Sequence, residues 1–145
     1  MTHDHPAGPP SLAIVVIHLR DAAGRDDVEE ALIFAGGLVS RLGEIATQRQ
    51  GSAVERRKPA ALLSGSVVTD VDLDLEQAID DALRRRFPDD GIQGEEGADR
   101  APAEPHHGRT WVVDPIDGTL NYARRLGPWS VVVQRRRSSR SPTGG

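Results

Sequence analysis

No cysteine occurs in the 145 residues, so disulfides and thiolate metal sites are excluded. Aromatic residues make up only 3% of the chain, against a hydrophobic fraction of 37%. A core must therefore be assembled mainly from Leu, Val, Ile and Ala. Positive charge is not in excess: the net charge is −4, which argues against nucleic acid as a general partner. Long apolar runs are absent as well. Residues 12–17, LAIVVI, form a run of six, far too short to span a membrane. They follow an acidic, Pro-rich leader where a secretory signal would carry positive charge, so no targeting segment and no membrane association are expected. The cytoplasm is the default compartment. By length the chain is one domain with a modest core.

Residues 111–122 read WVVDPIDGTLNY. A short apolar run, Trp111, Val112 and Val113, leads directly into Asp114 and Asp117, with Pro115 between them. This is the pattern of a buried strand that delivers acids at its C-terminal end and then turns into a helix. Pro115 fixes its own φ and biases Asp114 toward an extended backbone. Gly118 permits a backbone geometry that other residues resist. The N–H groups of Gly118 and Thr119 are then placed to meet an anion. Hard oxygen ligands beside a phosphate cradle suit Mg²⁺, which shares carboxylates with substrate phosphate. Taken alone, two acids near a turn are more often caps.

Two further stretches precede it: Val68-Thr69-Asp70-Val71-Asp72 with Leu75-Glu76, and Gly94-Glu95-Glu96. The three motifs, in this order, resemble the inositol monophosphatase family of metal-dependent phosphatases, over roughly residues 26–134. That is about the first half of the usual chain of the family. The resemblance implies an α/β fold, an α+β layered sandwich of which this is the N-terminal portion, with two helices packed on a largely antiparallel sheet. It implies an Mg²⁺-dependent phosphomonoesterase acting on a small phosphorylated polyol, with inositol monophosphate as the default substrate. Histidinol phosphate, fructose bisphosphate and nucleotide 3′-phosphates are substrates of related members. Lithium sensitivity and a homodimer are implied in the same way.

The same resemblance carries roles onto individual residues. Glu95 and Asp114 would hold a first Mg²⁺, with the backbone carbonyl of Ile116. Asp114 would bridge to a second, also bound by Asp117, and Glu95 would reach a third through water. Gly118 and Thr119 would meet the substrate phosphate. Thr119, with Asp72 nearby and Glu95 as base, would orient the attacking water. A hydroxyl between a carboxylate and a water can do this. Glu96 is open between an acid behind the ligands and a solvated neighbour. Asn121 and Tyr122 match the pattern and read as support for the loop. The family places one more metal-binding aspartate in a second half, in a Trp-Asp context, and no residue here matches it. The alternative reading is accordingly a truncated, inactive fragment that binds at most a metal ion or a partner.

Organisation along the chain follows from composition and period. Residues 1–25 are expected to form a disordered leader, in which His3 and His5 read as solvated and 11–20 is either a short strand or an extension of the first helix. The domain itself spans 26–134. Its clearest helix is 26–48, with apolar residues at Val28, Ala31, Leu32, Ala35, Leu38, Val39, Leu42, Ile45 and Ala46. Gly36 and Gly37 inside it suggest a close approach by another helix. Strands are expected at 67–70, 91–96 and 129–134, and a second helix at 73–87. The connector 51–66 carries a basic run, Arg56-Arg57-Lys58, read as a solvated loop ahead of a phosphate contact. Residues 97–109 look like a mobile loop, and the adjacent His106 and His107 point apart. Asp70, Asp72 and Asp74 alternate as in a calcium loop, but Leu75 and Asp81 stand where that loop needs Gly and Glu. Residues 135–145, RRRSSRSPTGG, read as a disordered Arg/Ser-rich tail. Such a tail can bind RNA, but a solvated end or an altered reading frame is preferred.

Overall fold

The computed structural model of the protein describes residues 12–17, 25–57, 67–104 and 108–137. The readings of His3, His5, Lys58, His106, His107 and residues 138–145 lie outside the described residues. A five-stranded mixed sheet forms the centre, in the order β1-β7-β6-β4-β5. Its strands are β1 (Leu12–Ile17), β4 (Gly91–Gly94), β5 (Asp99–Arg100), β6 (Arg109–Asp117) and β7 (Ser130–Arg137). A small antiparallel pair, β2 (Glu55–Arg57) and β3 (Val67–Thr69), stands apart from it. Antiparallel pairing joins β6 to β7 and β4 to β5, while β1 runs parallel to β7 and β4 parallel to β6.

Two helices, α1 (Arg25–Arg49) and α2 (Asp70–Arg86), pack on the sheet. The buried stripe of α1 is Ala31, Ala35, Leu38, Val39, Leu42 and Ala46, at the spacing of one helical face. Leu32 and Ile45, expected within that stripe, lie at its margins and are exposed. Gly36 does not serve a close approach either, because a Cβ there would meet open space. Leu75, Ile79 and Leu83 of α2 meet Ile92, Trp111, Val113, Val131 and Val133 from alternate positions of the sheet. Phe87 closes this core edge-on to Phe34 and beside Trp111, with centroids 5.5 and 5.4 Å apart.

The second helix begins at Asp70, three residues before the expected start. Thr69 caps it: its hydroxyl accepts from the Asp72 N–H, and the Asp72 carboxylate reaches back to the Thr69 N–H. This reciprocal box satisfies two helix-end donors and fixes the Asp72 side chain. Residues 12–17, placed within the leader and left open between a short strand and an extension of the first helix, form the strand β1, and short strands β2 and β5 occupy parts of the expected loops.

The strand expected to end at Gln134 continues to Arg137, so the supposed tail starts inside the sheet. Arg135 follows Val131 and Val133 on the buried face and is only 5% exposed. Its Nε and Nη2 both reach Asp90 Oδ2 at 2.8 Å, and Nη1 lies 3.2 Å from Asp27 Oδ1. The guanidinium also stacks over Phe87 at 4.8 Å and Trp111 at 5.3 Å. Trp111 Nε1 donates to the same Asp90 oxygen at 2.8 Å. Burial raises the Asp90 carboxyl above its ordinary range, and Arg135 opposes that rise. A run of three arginines reads as solvated by composition, yet its first member is needed inside as the partner of a buried acid.

Candidate functional site

The site forms where β4 and β6, being parallel, end side by side. Gly94 pairs with Val113, and the N–H of Glu95 then donates to the Val113 carbonyl at 3.2 Å. Glu95 is thereby brought next to Asp114. A register shift in the β6–β7 ladder brings in Asp117. Asp114 pairs with Val132 and Asp117 with Ser130, so three steps on β6 span two on β7. In a regular strand, residues three apart point to opposite faces; the extra residue of the bulge puts both carboxylates on one face. Pro115, which has no N–H to give to the ladder, sits inside the bulge.

The charges feel one another. Asp114 is raised from 3.8 to about 7, chiefly by burial, then by the negative charges of Glu95, Asp117, Asp72 and Glu96. Of the two readings of Glu96, its charge therefore acts on Asp114, and its side chain is half-buried. Asp72 is 1% exposed. Its Oδ2 accepts from the Thr69 N–H at 2.8 Å and from the Thr69 hydroxyl, and its Oδ1 from Thr119 Oγ1 at 3.0 Å. Thr119 Oγ1 is also 3.0 Å from the Ile116 carbonyl. The other two acids of the alternating trio do structural work. Asp70 accepts from the Val54 N–H at 2.7 Å and pairs with Arg49, which lowers its carboxyl, and Asp74 pairs with Arg49 at 2.8 Å.

Gly118 opens the short helix α3 (Thr119–Arg124) with φ at +86°. That left-handed backbone explains the glycine. Asn121 and Tyr122 support the loop as expected. Asn121 Nδ2 donates to the Pro128 carbonyl at 3.1 Å, and the Tyr122 hydroxyl to the Ala46 carbonyl at 2.7 Å. Burial pushes the Tyr122 phenol up to about 12, and its ring stands edge-on to Trp129.

The structure thus brings Asp72, Thr119 and Ile116 into one hydrogen-bonded group, with Glu95, Asp114 and Asp117 in electrostatic reach of it. Among the described residues no three acid or His side chains converge tightly enough to enclose an ion as they stand. The donor chemistry nevertheless fits a hard cation: all side-chain donors are carboxylates, and their mutual repulsion, visible at Asp114, is what a divalent ion relieves.

Residues 27–133 match the sequence pattern of the Inositol monophosphatase family. The chain belongs to the inositol monophosphatase family. Enzymes of this family are metal-dependent phosphatases. Inositol-1-monophosphatase SuhB of Mycobacterium tuberculosis is 35% identical over 106 residues, covering 72% of this chain and 36% of that protein. Histidinol-phosphatase of the same organism is 34% identical over 102 residues, covering 70% and 37%. The IMPase of Thermotoga maritima superposes with a TM-score of 0.63 at 26% identity, over 75% of this chain and 40% of that one. The chain thus spans a little over a third of the length of the curated relatives it matches. The family match begins at residue 27, so β1 lies outside it. No helix among the described residues is long and apolar enough to cross a membrane.

Sequence reasoning assigned no role to Glu76, Asp90 or Arg135. Alternation with Val131 and Val133 was the available signal for Arg135. Glu76 stands one helical turn after Asp72, on the same face of α2, which was the signal for it.

Proposed function

We propose that the chain carries the catalytic acids of an Mg²⁺-dependent phosphomonoesterase that hydrolyses a small phosphorylated polyol, inositol monophosphate foremost. The observation that carries this reading is the Asp72–Thr119–Ile116 group beside the mutually repelling acids around Asp114. Glu95, Asp114, Asp117 and the Ile116 carbonyl are the groups that would hold Mg²⁺. The bound ions would supply charge neutralisation at the phosphate and a more acidic water.

The remaining steps belong to the chain's own residues. Asp72 takes the single proton of the Thr119 hydroxyl in a hydrogen bond, which leaves the Thr119 lone pairs to accept from a water. Oriented in this way, the water attacks phosphorus, and its proton passes to Glu95 as base. The phosphorus–ester oxygen bond breaks, and the alcohol leaves after taking a proton from solvent. The N–H groups of Gly118 and Thr119 face the phosphate oxygens. Substrate choice among phosphate monoesters is narrowed by similarity alone, and the likeness to histidinol-phosphatase favours histidinol phosphate, an amino-alcohol ester outside the polyols, as the second candidate.

The test is phosphate release by the purified chain from inositol 1-phosphate and from histidinol phosphate, with Mg²⁺ or with EDTA. Release that needs Mg²⁺ and is lost in both Asp114→Asn and Thr119→Val supports the proposal. Release that persists in EDTA, or a folded chain with no release from either substrate, rejects it for this chain.

A further inference from the structure

We propose that Glu76 is a positioning residue for the metal site, acting by pinning the loop that carries Glu95. The proposal rests on the metal-site reading above and extends it to a side chain that touches neither ion nor substrate. Glu76 sits on α2, one turn beyond Asp72, and is 4% exposed. A carboxylate so deeply buried needs strong donors. It finds them in the backbone of the loop after β4. The Glu96 N–H donates to Oε1 at 2.8 Å and the Ala98 N–H to Oε2 at 3.0 Å. The two oxygens thus grip the chain on the C-terminal side of Glu95. On its N-terminal side the grip is completed by the Glu95 N–H on the Val113 carbonyl and by the Gly94 N–H on the Ala98 carbonyl at 2.6 Å.

Gly94 belongs to the same device. A Cβ on Gly94 would lie inside the van der Waals envelope of the Glu76 carboxylate, so the glycine makes room for the pin. One helix, α2, consequently holds both halves of the site: Asp72 reaches Thr119 from its first turn, and Glu76 fixes the Glu95 loop from its second. Partners behind metal ligands set ligand orientation, and their loss typically costs about 10- to 100-fold in metal affinity.

The experiment uses the full chain and Mn²⁺ as the probe, with free Mn²⁺ followed by electron paramagnetic resonance. Amide hydrogen exchange of the metal-free protein is measured in parallel. Glu76→Gln is expected to bind Mn²⁺ at least tenfold more weakly while the Glu96 and Ala98 amides lose protection and the remaining α2 amides keep theirs. Gly94→Ala, which displaces the carboxylate without removing it, is expected to do the same and decides the matter should Glu76→Gln fail to fold. Adding Glu76→Ala to Gly94→Ala should then cost nothing more. Wild-type affinity in a variant whose Glu96 and Ala98 amides have lost protection overturns the proposal. A wild-type chain that does not bind Mn²⁺ at all overturns the metal-site reading itself.

Discussion

Replacing Asp114 by asparagine should make the metal-free protein more stable at pH 8, although Asp114 stands at the centre of the site. Burial and four neighbouring acids raise its carboxyl from 3.8 to about 7. A carboxyl with a higher value in the folded than in the unfolded state is protonated by folding. Between pH 4 and pH 7 the native state therefore binds more protons than the unfolded one, and stability falls as pH rises. The contribution is fully present below about pH 4 and is lost by the time pH has passed 7. At 1.36 kcal/mol per pH unit the loss is about 4 kcal/mol, and water at the open side of the cleft reduces it to about 2–4 kcal/mol. An asparagine side chain keeps the shape and never ionises. Urea unfolding followed by Trp fluorescence, in EDTA at pH 5, 6, 7 and 8, gives the stability of each protein. The difference between them cancels groups common to both. Asp114→Asn should gain on the wild type by about 1–3 kcal/mol from pH 5 to pH 8, since only the two units below the raised value of about 7 fall in that window, and Mg²⁺ should restore the wild type alone. A variant less stable than wild type at pH 8 in EDTA, or a difference that does not vary with pH, would refute the electrostatic argument.

Other perturbations test the framework. Arg135→Ala strips a buried acid of its partner and should cost about 3–5 kcal/mol, read as a lowered urea midpoint. Gly36→Ala should stabilise the protein by about 0.5–1 kcal/mol, because the new methyl meets open space inside a helix; thermal unfolding checks it. Gly118→Ala forces a side chain into a left-handed backbone and toward the Pro128 carbonyl. A loss of about 1–2 kcal/mol in chemical unfolding is expected, with phosphate release reduced further than stability alone explains.

Both helices and the acid-bearing strand were legible in the sequence because each is signalled by contiguous residues. Apolar spacing gives α1 and α2, and a Val-rich run followed by Asp-Pro gives β6. What stayed hidden depends on partners distant in sequence. The start of α2 moved to Asp70 because Asp72 turns back to cap Thr69, a use of that acid that its position as a catalytic candidate obscured. Leu32 and Ile45 fit a generous stripe on paper, yet the face of α1 that meets the sheet is narrower. Arg135 is polar by composition; its alternation with Val131 and Val133 points it inward, but the Asp90 that pairs with it there lies 45 residues away. For the site itself, residue types and order were readable, whereas the bulge that turns Asp117 to the side of Asp114 is a property of the ladder with β7. Glu76 shows the same division: its spacing from Asp72 was visible, but the loop it grips was not.

The pairing of β1 with β7 has a consequence for how the molecule comes into being. Leu12 lies beside Ser130, well over a hundred residues away along the chain. A nascent chain emerging from the ribosome exposes β1 long before its partner. Until β7 arrives, β1 has no ladder to join, and closing so long a loop is entropically slow. Docking of β1 would then come late in the folding of these residues, and refolding experiments should find this strand gaining protection after the β6–β7 ladder and losing it before. During that interval the β7 edge is open to any other strand, including β1 of a second copy.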